Sequence, residues 1–291
     1  MRAVDLLDDT LPLSQLSEGA FWDRASGTLL WVDILGQRIH TYDLGQRQHV
    51  SLATPSSVSF AFPYGENRVI AGLQDGLYQM ERSGESRAEP VALLDLPHEH
   101  RLNDGQCDPR GRLWVGTICT ADDPSATAAL YRLENGRLQE VEGGYVNANG
   151  KGWSPDGKIM YHADTSRSTI WQYDYDLPTG GLSGKRVFVS LDNASPDGLC
   201  VDSQGRVFAA LYGGSAVAVF SPRGEMIDRI ELPVPNVTSC TFGGDDHRTL
   251  FITTAYDGLD PQQRNEFPFS GQIFTTEMDV PGQLNDGLKL V

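Results

Sequence analysis

The chain has 291 residues, of which 40% are hydrophobic, so it can bury a sizeable core. Its 31 glycines and 16 prolines favour many turns over a few long helices. Asp and Glu outnumber Lys and Arg by 39 to 23, and the resulting net charge of −16 argues against a nucleic-acid partner.

No apolar segment reaches the roughly 20 residues that a membrane span requires, and the first residues turn acidic instead of forming a leader peptide. We therefore expect a cytoplasmic protein with no membrane partner. The four cysteines are scattered and form no C-x-x-C pair, so no disulfide framework is predicted. Cys107 and Cys200 fall at similar places in two apolar strands, and we expect both thiols to be buried. The oligomeric state stays open.

A short segment, residues 3–7, opens the chain, and six copies of one pattern follow it. Each copy is a turn of Asp, Pro, Ser or Gly, a short apolar strand, a second turn and another strand. The copies recur at roughly 40 to 50 residues, which is the length of a four-stranded propeller blade. They occupy residues 23–43, 65–80, 108–133, 154–174, 202–220 and 244–276.

These copies predict an all-β fold, a six-bladed β-propeller that forms a single domain over residues 1–291. Apolar and polar residues alternate with a period of two, and no long segment shows a helical period. One blade cannot bury both of its faces alone, so six blades must close into a ring. We expect residues 3–7 to pair with the later strands of the sixth blade and cover its free edge. Residues 180–186 are interpreted as a hairpin turn between outer strands.

The first strand of each blade should line the central channel, and the residues that open these strands should meet at one mouth. Every such position carries a side-chain oxygen. In chain order they are Glu18, Ser57 and Ser59, Asn103 and Asp104, Asn149, Asp197, and Thr238 and Ser239. Two carboxylates and an amide oxygen suit Ca²⁺, Mg²⁺ or Mn²⁺, and Zn²⁺ also accepts carboxylates. Asn and Asp also open strands simply as turn residues, so spacing alone leaves both interpretations open.

Four of these segments carry a resemblance that covers nearly the whole chain. They are Glu18-Gly19 with Trp22, residues 101–105 with 108–109 and 116–117, residues 149–150 with 153–157, and residues 196–198. Together, in this order and spacing, they resemble the family of senescence marker protein 30 (regucalcin), gluconolactonases and related sugar-lactone hydrolases.

The resemblance implies a six-bladed propeller with one divalent cation, Ca, Zn, Mn or Mg, in its central channel. It implies that Glu18, Asn149 and Asp197 bind this cation. It also implies that Arg101 and Asn103 contact a small-molecule sugar lactone, with Asn103 near the metal through a water. The activity implied is hydrolysis of an aldonolactone to the sugar acid.

Two departures from the family pattern affect the expected substrate. Lys151 stands where an apolar residue is more usual, and we assign it to substrate binding. Asp122 and Asp123 lie in a loop where some relatives place a substrate-contacting glutamate, and which of them substitutes is open. Asp104 is expected to shape a turn and not to bind metal, and Asp164 either to support the site residues or to have a structural role.

For the reaction we hypothesise that the metal polarises the lactone carbonyl and that Asp197 assists the attack of water as general base. Two other functions remain as alternatives: a cation-binding regulatory or scaffold propeller, and an esterase or organophosphate hydrolase that uses the same metal. The sequence identifies neither the sugar nor the physiological metal.

Overall fold

A computed structural model describes residues 2–82, 87–121, 127–283 and 287–289 of the chain. In these residues, strands form six four-stranded antiparallel sheets, which we number as blades 1 to 6. In chain order, the strands are β1 (Asp5–Leu6), β2 (Ser17–Asp23), β3 (Thr28–Asp33), β4 (Arg38–Asp43), β5 (Gln48–Ala53), β6 (Val58–Tyr64), β7 (Arg68–Leu73), β8 (Gly76–Glu81), β9 (Glu89–Leu93), β10 (His100–Cys107), β11 (Leu113–Cys119), β12 (Ala128–Glu134), β13 (Arg137–Tyr145), β14 (Ala148–Trp153), β15 (Ile159–Asp164), β16 (Thr169–Asp176), β17 (Gly181–Ser190), β18 (Ser195–Val201), β19 (Val207–Tyr212), β20 (Ala216–Phe220), β21 (Met226–Glu231), β22 (Asn236–Gly243), β23 (Thr249–Ala255) and β24 (Ile273–Glu277).

Blades 1 to 5 each consist of four consecutive strands, beginning with β2, β6, β10, β14 and β18. Their first strands and β22 contact one another in sequence around a ring, so these six strands line the central channel. The two strands predicted in each repeat are the second and third strands of a blade. The six-bladed β-propeller predicted from the sequence is therefore confirmed.

The ring closes through the beginning of the chain. Strand β1 completes blade 6 by pairing antiparallel with β24, with Asp5 opposite Thr275 and Leu6 opposite Phe274. This is the closure predicted for residues 3–7. The sixth blade therefore takes its outer strand from the N-terminal segment. This pairing joins the first and last strands of the chain in one sheet and covers the edge of β24.

Apolar side chains between neighbouring blades form the core. Phe21 of blade 1 meets Phe62 of blade 2 edge to face, with ring centroids 5.1 Å apart. On the other side of blade 1, Trp22 stacks on Phe251 of blade 6 at 5.4 Å. Such aromatic pairs add to the burial of apolar surface that holds the blades together.

Two local predictions need correction. Residues 181–186 belong to strand β17 and not to a hairpin turn, because the turn precedes them at residues 177–180. Both faces of β17 are largely exposed, so no apolar alternation marks this strand in the sequence. Cys107 is buried as expected, but Cys200 is only half-buried, with its Sγ 3.5 Å from the Sγ of Cys240.

In the ranges that the structure describes, helical structure is limited to a 3-10 turn at Thr165–Arg167 and the helix α1 (Pro261–Glu266). Asp260 caps α1 by accepting from the backbone N–H of Gln263, whose side chain accepts in return from Asp260. Among the described residues, no helix is long and apolar enough to cross a membrane.

Candidate active site at one mouth of the channel

Each of the six channel-lining strands contains one extra residue at the same height. A register shift of one residue interrupts the pairing of the first and second strands in every blade, as a β-bulge does. The shifts lie between Glu18 and Phe21, Val58 and Phe60, Leu102 and Gly105, Ala148 and Lys151, Pro196 and Leu199, and Val237 and Ser239. The predicted site residues other than Arg101, which directly precedes the shift in its strand, therefore lie at or in these bulges, where a strand can redirect a side chain.

Glycines that follow site residues allow neighbouring bulges to approach closely. A Cβ on Gly150 would lie 2.2 Å from the backbone oxygen of Asp197, and one on Gly198 would lie 2.5 Å from Ser239 Oγ. Side chains cannot be accommodated at these distances, so both positions require glycine. The Asn-Gly and Asp-Gly pairs are thus packing elements in strands and not hairpin turns.

The structure brings Glu18, Asn149 and Asp197 together. Their residues are 8%, 4% and 4% exposed. The Asn149 amide nitrogen donates to Asp197 Oδ1 and, at 2.9 Å, to Thr165 Oγ1. The Glu18 carboxyl is within hydrogen-bonding reach of Asp197 and accepts from the Gly19 backbone N–H at 3.3 Å. Three chain segments that are far apart in sequence therefore form one compact cluster.

The electrostatics of the cluster are unfavourable for two ionised acids. Burial raises the pKa of Glu18 well above its ordinary value, and the charges of Asp197 and Asp104 raise it further. Burial likewise raises the pKa of Asp197, with a further contribution from Asp104. Arg101 acts in the opposite direction on both carboxyls. Ionising both acids would therefore place unfavourable negative charge in the cluster, and a cation would neutralise it.

A divalent cation fits this donor set. Asn149 Oδ1 is buried and has no hydrogen-bond partner among the described residues, while the amide nitrogen is fixed by two acceptors. Two carboxylates and this unpaired amide oxygen are ligands that a hard cation prefers. Within the described part of the chain, no three His, Cys, Asp or Glu side chains are grouped as for a metal site. A cation would therefore need the amide oxygen of Asn149 as a ligand.

Arg101 and Asn103 lie beside the cluster and hold each other. Arg101 Nη1 donates to Asn103 Oδ1 and to the Leu102 backbone oxygen, both at 2.9 Å. Asn103 Nδ2 donates to Asn147 Oδ1 at 2.7 Å. Burial lowers the pKa of Arg101 to about 10, and Glu18, Asp197 and Asp257 oppose this shift. At this value the guanidinium remains charged at neutral pH.

Lys151 is enclosed in the protein instead of lining an open mouth. Its side chain has no exposed surface, and its Nζ forms an ion pair with Asp104 Oδ1 at 2.9 Å. Asp104 accordingly lies in a strand bulge with a buried partner, where the sequence predicts a turn. The assignment of Lys151 to substrate binding stays a prediction. Asp122 and Asp123 lie outside the described residues.

Sequence reasoning did not include four residues around the cluster: Asn147, Thr165, Tyr212 and Asp257. Asn147 holds Asn103, and its spacing of two from Asn149 is the signal that could have placed both on one side of a strand. The Tyr212 hydroxyl donates to the Asp257 backbone oxygen at 3.3 Å. Burial, followed by the charges of Asp257 and Asp197, raises the pKa of Tyr212 to about 12. As expected, Asp164 is structural, since it accepts from the backbone of Val146 and Asn147.

Comparison with known proteins identifies the family to which the chain belongs. A family model described as "SMP-30/Gluconolactonase/LRE-like region" matches residues 16–256, a range that includes the whole cluster. The chain belongs to this family. The resemblance stated from the sequence motifs is therefore confirmed.

Three relatives show how far the similarity extends. The chain is 34% identical over 271 residues to the "Putative sugar lactone lactonase YvrE" of Bacillus subtilis (strain 168), covering 92% of each chain. It is 32% identical over 272 residues to a 6-deoxy-6-sulfogluconolactonase of Pseudomonas putida, covering 92% of this chain and 93% of the relative. Among solved structures, the calcium-binding protein regucalcin of Agrobacterium tumefaciens strain C58 superposes with a TM-score of 0.92 at 28% identity, covering 99% of this chain and 98% of that one.

Proposed function

We propose that this chain is a divalent-metal-dependent hydrolase that opens a sugar lactone, an aldonolactone, to the sugar acid. The observation that carries this proposal is the buried cluster in which two carboxyl groups with raised pKa values lie together with an amide oxygen that has no partner among the described residues. Family membership supports it, because relatives with 32% and 34% identity bear the names of lactonases. Cytoplasmic location and a free sugar lactone as partner are part of the same proposal.

Glu18, Asn149 and Asp197 would hold the cation. When bound, the cation supplies a Lewis acid that polarises the lactone carbonyl and makes a neighbouring water a stronger acid. Thr165 fixes the amide orientation by accepting from Asn149 Nδ2, so that Oδ1 is the atom offered as ligand. Ca²⁺ is one candidate, and Zn²⁺, Mn²⁺ and Mg²⁺ are the others.

Asp197 is the residue we assign to proton transfer. Its Oδ1 accepts from the Asn149 amide, so Oδ2 is the atom that would take a proton from the attacking water. Burial raises the pKa of this carboxyl in the metal-free chain, but a bound cation would lower it and make Asp197 a weak base, so the cation would also have to acidify the attacking water. The same proton could then be returned to the ring oxygen as the ester bond breaks, which yields the open hydroxy acid.

Arg101 and Asn103 would bind and orient the sugar hydroxyls. Arg101 uses Nη1 for its contacts with the described residues, which leaves the rest of its planar donor set for a substrate oxygen. Asn103 is held from both sides by Arg101 and Asn147, so its position is fixed before substrate binds. Such pre-positioning lowers the entropic cost of orienting the substrate.

A pH-indicator assay tests this function with gluconolactone, xylonolactone and arabinonolactone. With at least one of these lactones the protein should release acid into the solution. This activity should be lost with a chelator and regained when a divalent cation is restored. Cation binding without turnover of any lactone would instead favour a regulatory propeller. Turnover that persists after complete chelation would contradict the metal-dependent mechanism.

A further inference from the structure

A buried ion pair lies directly beyond the carboxylate cluster along the channel-lining strands. Lys151 is two residues further along β14 than Asn149, and Asp104 follows Asn103 in β10. The Lys151 ammonium contacts three oxygens: Asp104 Oδ1 at 2.9 Å, the Asp104 backbone oxygen at 2.8 Å and the Asn149 backbone oxygen at 2.8 Å. An ammonium has three N–H donors, so these contacts satisfy it completely.

The contacts join the bulges of two different blades. Asp104 lies in the bulge of blade 3 that carries Asn103, and Asn149 lies in the bulge of blade 4. A bulge interrupts the ladder of hydrogen bonds between strands, so its backbone groups need other partners. Lys151 provides donors to both bulges at once and therefore ties their backbones together.

A partly open cavity lies past Lys151 along the channel-lining strands, with a volume of about 80 Å³. Its lining includes Gln106, Lys151, Gly152, Cys200 and Thr241. This cavity adjoins Lys151, and beside it the two bulges are joined by the hydrogen bonds from the Lys151 ammonium to the backbone oxygens of Asp104 and Asn149.

We propose that Lys151 is a positioning residue of the cation site, which ties the Asn103 and Asn149 bulges together and so fixes the ligand geometry. This rests on the cation site of the proposed function. Stability alone is a weak reason for such a pair, since replacing a buried ion pair by neutral groups of similar size is often neutral or stabilising. A positioning role instead requires the bonds from Nζ to the two backbone carbonyls, which a neutral apolar side chain cannot make.

The test titrates metal-free proteins with Mn²⁺ by calorimetry and measures their thermal unfolding. The double variant Asp104→Asn with Lys151→Met removes one positive and one negative charge, so the net charge near the site is unchanged. Its Kd for Mn²⁺ should rise by at least about tenfold, the usual minimum effect of losing a residue that orients metal ligands. Its metal-free unfolding transition should remain cooperative, which shows that a loss of affinity does not come from a failure to fold. Lys158→Met, an exposed lysine of blade 4, is the matched control and should bind Mn²⁺ as the wild type does.

Two results would overturn the positioning role. One is a double variant whose Mn²⁺ affinity lies within about threefold of the wild type, below the effect expected for residues that orient ligands. The other is a single Lys151→Met variant that binds Mn²⁺ more tightly, because net charge and not geometry would then govern the site. Lys151→Met leaves Asp104 buried without its partner, so if it does not fold the double variant decides. If the wild type and Glu18→Gln bind Mn²⁺ equally or not at all, the cation site of the proposed function fails as well.

Discussion

Buried acids occur in two regions of this propeller and are treated differently in each. Asp202, in a turn of blade 5, has no exposed surface, yet both of its carboxylate oxygens accept hydrogen bonds. Its Oδ1 accepts from the backbone N–H groups of Gln204 and Arg206, each at 2.9 Å, and its Oδ2 accepts from Arg206 Nε. Asp108 forms the same arrangement with Arg112 in blade 3. These turn acids are compensated within five residues of chain.

At the channel mouth the acids are only partly compensated. Glu18 and Asp197 face each other, and the acceptor of Asn149 has no partner among the described residues. Buried polar groups are normally satisfied, and exceptions concentrate where function requires them. The comparison teaches that burial of an acid is not diagnostic by itself. What distinguishes the channel mouth is a buried amide oxygen, Asn149 Oδ1, that has no partner in the described part of the chain.

The largest effect should come from removing one acid of the mouth. Glu18→Gln or Asp197→Ala should lower kcat/KM for the preferred lactone by at least about 1,000-fold, or about 4 kcal/mol, because either change removes a ligand of the cation. Steady-state kinetics with saturating metal measures this. The metal-free variants should be as stable as the wild type or more so, since one of two repelling carboxyls is gone.

Glu225→Gln and Asp245→Ala provide controls for these changes, because both acids are exposed and distant in sequence from the cluster. They should keep wild-type kinetics. An Asp197→Ala protein with full activity after chelation and restoration of metal would contradict the assignment of this residue.

Removing a turn acid should have the opposite consequences, a loss of stability with the activity of the folded protein kept. Asp202→Asn leaves the mostly buried Arg206 guanidinium without a counter-charge, which should lower the free energy of unfolding by about 3 kcal/mol. The folded fraction should keep its lactonase activity. Urea denaturation at neutral pH measures the loss, and a change smaller than about 1 kcal/mol would show that the turn acids are not the structural class described above.

A buried histidine in blade 1 gives a third kind of group, one that stays neutral. Burial lowers the pKa of His40 to about 4, and the neighbouring His49 lowers it further. Between pH 4 and roughly 6.5 the unfolded chain therefore binds more protons than the folded one. The free energy of unfolding is thus highest above this range and decreases as the pH falls through it. Over this range protonation of His40 should lower the free energy of unfolding by up to about 3 kcal/mol.

His40→Phe tests this contribution, because a phenyl ring can keep the stacking on Trp31 without titrating. The unfolding free energies of variant and wild type should converge as the pH is lowered from 7 to 4, since only the wild type loses the His40 contribution. Parallel profiles for the two proteins would place the acid sensitivity in other groups.

The smallest effect should be thermal stabilisation by the cation itself. At a Ca²⁺ concentration about 100 times its Kd, binding raises the free energy of unfolding by about 2.7 kcal/mol, which corresponds to an increase of roughly 5 °C in Tm for a chain of this size. Asp197→Ala should lose this shift and Asp245→Ala should keep it. Equal shifts in both variants would indicate a cation bound elsewhere.

The sequence predicts the ring better than the detail of the site. Repeats of one blade length and the pairing of residues 3–7 follow from local patterns, and so does the meeting of Asn149 with Asp197 at the starts of neighbouring blades. The extra residue in each channel-lining strand does not, because a bulge is a property of the register between two strands. Nothing in the composition of residues 101–105 or 148–151 marks it.

Buried partners across blades were equally inaccessible to pattern reading. From the sequence, Lys151 is most simply interpreted as a cation at an open channel mouth. Its pairing with Asp104 depends on how two bulges face each other, which the sequence does not show. The same reason applies to Thr165 and Asn147, whose roles arise from contacts with Asn149 and Asn103 and not from their own sequence context.

A crystal of the protein grown with Mn²⁺ and examined by anomalous diffraction tests the cation site most directly. A single strong peak should lie among Glu18, Asn149 Oδ1 and Asp197, with ligand oxygens within about 2.5 Å. A map with no peak there, or with Glu18, Asn149 and Asp197 directed away from a metal bound elsewhere, would contradict it.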